Sequence, residues 1–241
     1  MRQSGKILAS VLSELGNWVK PGMSTLEIDL KAEELIRSQG GEPAFKGYNG
    51  FTGTACICIN EEVVHGVPSA DRFIATGDLL TIDCGVTYQG MITDSAITII
   101  VGGKAKDPQV EKLLKTAQKA LDKAIEVAKP GIRTTELSKA IEKVVRKEGF
   151  GIVETLCGHG VGFEVHEDPY ILNYYDGQPG PIMQPGMTFA IEPIITLGSH
   201  KTKLMKDGWT IVTKDGSLSV QVEHTIAITD KGAEILTKRP K

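Results

Sequence analysis

Two apolar rhythms alternate along this chain, and each occurs twice. Helical spacing of apolar positions runs through MRQSGKILASVLSELGNW at the N-terminus and again through ALDKAIEVAK ahead of Pro130. Each stretch meets a Pro-Gly turn and continues into a second helical segment. These are PGMSTLEIDLKAEELIRSQG from Pro21 and PGIRTTELSKAIEKVVRKEG from Pro130. A Ser or Thr near the start of each second segment can cap the free N–H groups of a helix. The pattern predicts two pairs of amphipathic helices. The other rhythm is that of strands. GDLLTIDCG from Gly77 and GMTFAIEPI from Gly186 are apolar runs of β-formers after a glycine turn. TACICINEEVVHG, TDSAITIIVG and GWTIVTKDGSLSVQVEHTIAIT alternate with a period of two. The turn Lys214-Asp215-Gly216-Ser217 predicts a hairpin within the last of these.

The two rhythms repeat in register. At an offset of 109 residues, Pro21, Gly22, Thr25, Glu27, Glu33, Arg37 and Gly40 meet Pro130, Gly131, Thr134, Glu136, Glu142, Arg146 and Gly149. The same offset superposes Asp83 of LLTIDCG on Glu192 of TFAIEPI. An acid inside an apolar strand is costly to bury alone. Two of them, matched by a duplication, point to a shared pseudo-twofold site where something positive compensates them. The expected architecture is α+β: duplicated helices packed on one face of a curved, mainly antiparallel sheet. Residues 1–241 are expected to form a single domain of two halves, about 1–110 and 111–241.

Composition narrows the function classes. A formal net charge of -3 leaves no electrostatic footprint for specific nucleic-acid binding. No apolar run is long enough to cross a membrane. Ser13, Glu14 and Asn17 interrupt the core that a signal peptide would need. Cys56, Cys58, Cys84 and Cys157 lack paired CxxC spacing, so reduced thiols in the cytoplasm are expected.

Five positions carry candidate chemistry: Asp83, Asp94 in MITDSAITI, His159 in LCGHGVGF, Glu192 and Glu223 in VQVEHTIAI. Four acids in apolar surroundings would repel one another and hold their protons unless paired. No basic side chains interleave with them, which leaves divalent metal as the natural partner. One imidazole among carboxylates suits Mn, Fe, Co or Zn, and a set of this size can hold two ions. Blander readings stand beside this one. Asp94 alone could be an edge charge, Glu223 a surface residue with His224 inward, and His159 a turn residue between Gly158 and Gly160. Those glycines would equally let the backbone pass close to a metal or substrate. His65 in EEVVHGVP and His166 in FEVHEDP end similar extended segments in the two halves. Imidazoles there could move protons near neutral pH or polarise a carbonyl. His200 reads as a surface residue, and no HExxH signature is present.

INEEVVHGVP, LTIDCG, CGHGVG, VHEDP, AIEP and KDGWTIVTKDGSLSVQVEHT together resemble the type I methionine aminopeptidases, of the pita-bread fold. The resemblance covers nearly the whole chain and implies removal of the initiator methionine from nascent polypeptide N-termini, at the ribosome, by a cytoplasmic monomer. It implies two divalent metal ions (Co, Mn, Fe or Zn) on Asp83, Asp94, His159, Glu192 and Glu223, with Asp94 and Glu223 bridging. The implied reaction is attack of a metal-bridging hydroxide on the first peptide bond. By the same likeness, His65 and His166 contact the scissile peptide and Glu192 shuttles the proton. Tyr48, Phe51, Cys56 and Trp209 would wall the methionine pocket. The chain departs from the family pattern in Met91-Ile92-Thr93 before Asp94, in lacking a basic residue among Ser95-Ala96-Ile97-Thr98, and at Val165, where Phe is frequent. An Xaa-Pro aminopeptidase or prolidase shares the fold and ligands but usually carries a large N-terminal domain. A non-catalytic relative would typically have lost ligands.

Overall fold

The computed structural model describes residues 1–105 and 107–240. In the first half, α1 (Arg2–Trp18) buries a stripe made of Ile7, Leu8, Val11, Leu12 and Leu15. The next helix, α2 (Thr25–Ser38), starts at a capping box: the Ser24 hydroxyl accepts from Glu27 N, and the Glu27 carboxylate accepts from Ser24 N. Such a cap stabilises a helix by about 1 kcal/mol. Strands β1 (Glu42–Pro43), β2 (Ala55–Ile59), β3 (Glu62–Val64), β4 (Leu79–Tyr88) and β5 (Met91–Ile100) follow, with a 3-10 turn at Tyr48–Gly50 between β1 and β2. Buried Asp29 of α2 accepts from the backbone N–H groups of Thr54 and Ala55 at 2.7 and 2.8 Å, which fixes where β2 begins.

The second half opens with α3 (Pro108–Val127) and α4 (Thr135–Glu148). It continues through β6 (Gly151–Ile152), β7 (Cys157–Gly160), β8 (Glu167–Leu172), β9 (Thr188–Ile191) and β10 (Ile194–Thr196). The last strands are β11 (Thr202–Leu204), β12 (Ile211–Thr213), β13 (Ser219–Gln221), β14 (His224–Thr229) and β15 (Gly232–Ile235). In contrast to α2, Thr134 before α4 makes no side-chain cap, and the helix stops at Gly149 in the left-handed region.

Among the described residues every strand pairing is antiparallel, in four sheets ordered β1-β4-β2 with β5 also on β4, β15-β14-β9-β7-β8, β13-β10-β6 and β11-β12-β3. The single curved sheet expected from the pattern is thus broken into panels. Pro193 interrupts one break, between β9 and β10. The turn at Lys214–Ser217 forms but joins no hairpin: β12 pairs with β11 and β3, while β13 pairs with β10. Asp215 holds the turn elsewhere, accepting from Ser199 N at 2.7 Å and from the Ser217 hydroxyl at 2.7 Å.

Pairing registers express the repeat. Glu42 faces Thr87 and Pro43 faces Val86; 109 residues later, Gly151 faces Thr196 and Ile152 faces Ile195. For the next strand the shift falls to 101. Cys58 and Ile59 face Thr81 and Leu80, whereas His159 and Gly160 face Ala190 and Phe189. Eight residues between β1 and β2 therefore have no counterpart in the second half. On the far side, the pair Gly85–Asp94 corresponds to the pair Ile194–Gln221. Two apolar cores lie under the helices. One joins α1 and α2 to Leu80, Ile82 and Cys84, and the other joins α3 and α4 to Phe189, Ile191, Ile195 and Ile226. The alternate residues of those strands, Asp83 and Ala190 among them, face away from the helices into the space between the halves.

Candidate metal centre and its pocket

Strand alternation delivers the acids. Asp83 lies opposite Cys56 and Ala96, between Ile82 and Cys84, which point to the core. Glu192 follows β9 where Pro193 breaks the pairing, and Glu223 occupies the matching gap between β13 and β14. Asp94 and Glu223 are stitched together from opposite halves. The Thr225 hydroxyl accepts from Asp94 N at 2.9 Å and donates to Asp94 O at 2.6 Å. The Ser95 hydroxyl donates to Glu223 O at 2.6 Å, and Glu223 N donates to Ala96 O at 3.1 Å. Glu223 is 1% exposed, which removes the surface reading, while His224 bonds to Thr237 behind the strand.

His159 lies in β7 and is 3% exposed. Its glycine neighbours serve strand packing. A Cβ at Gly158 would stand 2.4 Å from Ala190 O, and one at Gly160 would stand 2.4 Å from Asp168 O. Nδ1–H of His159 donates to Gly160 O at 2.8 Å. That bond sets the tautomer and leaves the Nε2 lone pair facing the acids. Nε2 is 3.7 Å from Glu192 Oε1 and 4.0 Å from Asp94 Oδ2. One donor atom each from Asp94, His159 and Glu223 fall within 4.8 Å of one another.

Burial raises the proton affinity of all four acids, and repulsion between them adds to it at Asp94, Glu192 and Glu223. Burial pushes Asp83 up to about 7. Asp94 is raised well above the carboxylate range by burial and by Glu223 and Asp83, Glu192 by burial and by Asp83 and Asp94. Glu223 is raised by burial, Asp83 and Glu192, with Arg239 opposing. Burial lowers His159 to about 4, so its imidazole is neutral and free to coordinate. Among the described residues, Asp83 Oδ1, Asp94 Oδ1 and Glu223 Oε1 are buried without a hydrogen-bond partner. Buried oxygens left without donors cost free energy that a divalent cation would recover. Oxygen-rich donors with one imidazole fit such an ion.

A pocket of about 330 Å³ opens onto this cluster. Its walls include the five cluster residues together with Tyr48, Phe51, Cys56, His65, His166 and Trp209. Phe51 and Trp209 meet edge to face at 5.2 Å, and the His65 ring lies 6.3 Å from the Trp209 ring. The Tyr48 hydroxyl is hydrogen bonded to His166 Nδ1 at 3.0 Å, and the His166 and His159 rings are 4.4 Å apart. His166 is exposed on the wall, with its partial enclosure lowering its proton affinity. Burial and then His166 hold His65 at about 4. His65 also adopts φ of 59°, a backbone region that costs a non-glycine residue. Burial and then Asp83 drive the Cys56 thiol well above its ordinary value, which disfavours the thiolate that a nucleophile would need.

The model of metallopeptidase family M24 matches residues 1–230. Methionine aminopeptidase 1 of Bacillus subtilis is 45% identical over 238 residues, covering 99% of this chain and 95% of that protein. The chain belongs to metallopeptidase family M24, among the methionine aminopeptidases. A solved methionine aminopeptidase of Thermotoga maritima superposes with a TM-score of 0.96 at 41% identity, covering 99% of this chain and 95% of that one. The prolidase of Pyrococcus furiosus superposes with a TM-score of 0.80 at 28% identity, and this chain covers 63% of it. The M24 fold is thus the shared α+β pita-bread arrangement, and the close full-length likeness lies with the methionine aminopeptidases.

The M24 pocket also contains residues that the sequence pattern did not flag: Phe45, Leu156, Cys157 and Gln221. Gln221 ends β13 two residues before Glu223, a spacing that puts both side chains on one side of an extended chain, and that spacing was the available signal. Val165, singled out as a departure, lines the pocket too. Where the chain after Asp94 lacks a basic residue, Arg239 arrives from the C-terminal segment. It donates to the Ser95 hydroxyl at 3.2 Å and to Ala96 O at 3.0 Å.

Proposed function

We propose that this chain hydrolyses the first peptide bond of polypeptides that begin with methionine, using two divalent ions held by Asp83, Asp94, His159, Glu192 and Glu223. One observation carries the reading. Four acids and a neutral imidazole, three of the acids with unpartnered oxygens, form the floor of a pocket with aromatic and sulfur-bearing walls. When bound, divalent ions lower the pKa of water and polarise a peptide carbonyl.

The remaining work falls to side chains. Phe51, Cys56, Trp209 and Tyr48 offer soft, apolar surface that suits an unbranched thioether. His166, held through Nδ1 by Tyr48, presents Nε2 to the scissile carbonyl and stabilises negative charge developing on its oxygen. His65 contacts the peptide nitrogen from the other half. Glu192, whose proton affinity burial raises, takes a proton from the attacking water and hands it to the leaving amine.

The substrates on this reading are nascent chains at the ribosome, and the enzyme is a cytoplasmic monomer. Free thiols at all four cysteines support a reducing compartment. No helix among the described residues is long and apolar enough to cross a membrane.

The test uses metal-free protein reloaded with Mn, Co, Fe or Zn singly, and follows cleavage of Met-Ala-Ser beside Ala-Pro-Ala. Metal-dependent release of methionine from the first peptide alone is expected. Cleavage confined to Ala-Pro-Ala would assign Xaa-Pro specificity instead, and no cleavage of either by folded, metal-loaded protein would end the enzyme reading.

A further inference from the structure

Gln221 is the last residue of β13 and is 2% exposed. Its amide nitrogen donates to Glu192 Oε2 at 3.1 Å and to Asp83 Oδ2 at 3.3 Å. Those acids are the pair related by the 109-residue repeat, one from each half. The amide orientation follows from its neighbours, since an oxygen in that place would face two acceptors. On each acid the second oxygen is left to the centre of the site. Asp83 Oδ1 has no partner among the described residues, and Glu192 Oε1 faces His159 Nε2 at 3.7 Å.

The repeat adds an independent argument. Gln221 occupies in the second half the ladder position that Asp94 occupies in the first. At that position the first half supplies an acid and the second half supplies a neutral donor. A fifth acid would deepen the repulsion among four buried ones. An amide instead neutralises none of them but ties down two. The backbone here is fixed separately: Gln221 pairs with Ile194, and its carbonyl accepts from the Thr98 hydroxyl at 2.6 Å. Only the side chain is therefore at stake.

We propose that Gln221 is a positioning residue of the metal centre, whose amide N–H groups hold one oxygen each of Asp83 and Glu192 and so present the other oxygen to a divalent ion. The proposal rests on the metal reading of this site. Hydrogen bonds to ligating groups typically change metal affinity about ten- to a hundredfold when removed.

The experiment titrates Mn(II), and separately Co(II), into metal-free wild type, Gln221→Met and Gln221→Glu by calorimetry, with circular dichroism of each. Methionine fills similar space without a donor. Gln221→Met is expected to fold as wild type does and to bind at least one ion about tenfold more weakly. Binding by Gln221→Met within twofold of wild type would overturn the proposal and leave Gln221 as filler. Should Gln221→Met fail to fold, the Co(II) visible spectrum of Gln221→Glu decides. An ionised carboxylate cannot donate and a protonated one has a single O–H, so neither can hold both acids as the amide does. Changed bands are expected, and a superimposable spectrum overturns the proposal. Wild type that binds neither metal would overturn the metal reading and this proposal together. Wild type that binds while both variants match it would overturn this proposal alone.

Discussion

His159 Nε2 stands 3.7 Å from Glu192 Oε1 while its Nδ1–H is committed to Gly160 O at 2.8 Å. The ring has one nitrogen to give, and it points at an acid from the same half. His159→Ala is expected to lower kcat by at least about a hundredfold and to weaken binding of one ion, read together by kinetics and calorimetry. Retained affinity for both ions would remove His159 from the ligand set.

Metal removal should make stability depend on pH with a defined sign. Asp83 titrates near 7 in the folded chain, with Asp94, Glu192 and Glu223 also raised, against ordinary carboxylate values in the unfolded chain. Between about 4 and 6.5 the extra protons on the folded acids are offset by His65 and His159, held at about 4, and His224, held at about 3, which the unfolded chain protonates at about 6.5. Above that the histidines are neutral in both states, the folded state holds more protons on its acids, and stability falls as pH rises. The metal-free protein should melt lower at about pH 8.5 than at about pH 6.5, with the difference shrinking when Mn or Co is restored. A metal-free melting temperature that rises across this interval would contradict the burial of the acids.

Tyr48→Phe removes one hydroxyl, the partner of His166 Nδ1 at 3.0 Å. A hydrogen bond of this kind is worth about 1 kcal/mol net, so kcat should fall about fivefold while the melting temperature drops by no more than about 2–4 °C. His166→Ala should cost about a hundredfold or more in kcat. A further loss of rate when Tyr48→Phe is added to His166→Ala would mean that Tyr48 acts through something other than the imidazole.

Cys56 and Trp209 share the pocket but should respond differently. Cys56→Ala leaves the chemistry in place and should keep kcat/KM within about tenfold, because the thiol is only a wall. Trp209→Ala opens the wall against which Phe51 and His65 lie. The expected result is a loss of at least about tenfold in kcat/KM for methionine peptides, with discrimination against leucine peptides reduced. Loss of all activity in Cys56→Ala, with the fold intact, would return the thiol to the mechanism.

Leu12 lies fully buried in α1 against the first-half core. Leu12→Ala should cost about 2–5 kcal/mol by chemical denaturation and leave metal stoichiometry unchanged.

The Pro-Gly turns, the helix pairs and the acids on β4 and after β9 were readable because they repeat at one offset. Apolar periodicity also exposes any acid placed inside it, which is why Asp83, Asp94, Glu192 and Glu223 stood out. Gln221 escaped because a neutral amide in a strand raises no question of charge. Cys157 and Leu156 escaped because β7 is four residues long and two of them are glycine, too short for a period to show. The turn at Lys214–Ser217 misled because turn chemistry is local, whereas the partner of each flanking strand is chosen by packing across the molecule. The spacing of 101 between His65 and His166 was hidden by the eight unmatched residues.

Those eight residues bear on how the enzyme could change. They fall between β1 and β2, in the segment that brings Phe45, Tyr48 and Phe51 to the pocket, and the second half has no equivalent of them. None of the five candidate ligands lies in that segment. On the proposed reading, part of the recognition of the terminal side chain is therefore encoded in a stretch of chain separate from the ligands. Drift in the loop can alter which N-termini are accepted while metal uptake persists, so related sequences that diverge between residues 44 and 54 would be expected to differ in preference before they differ in activity.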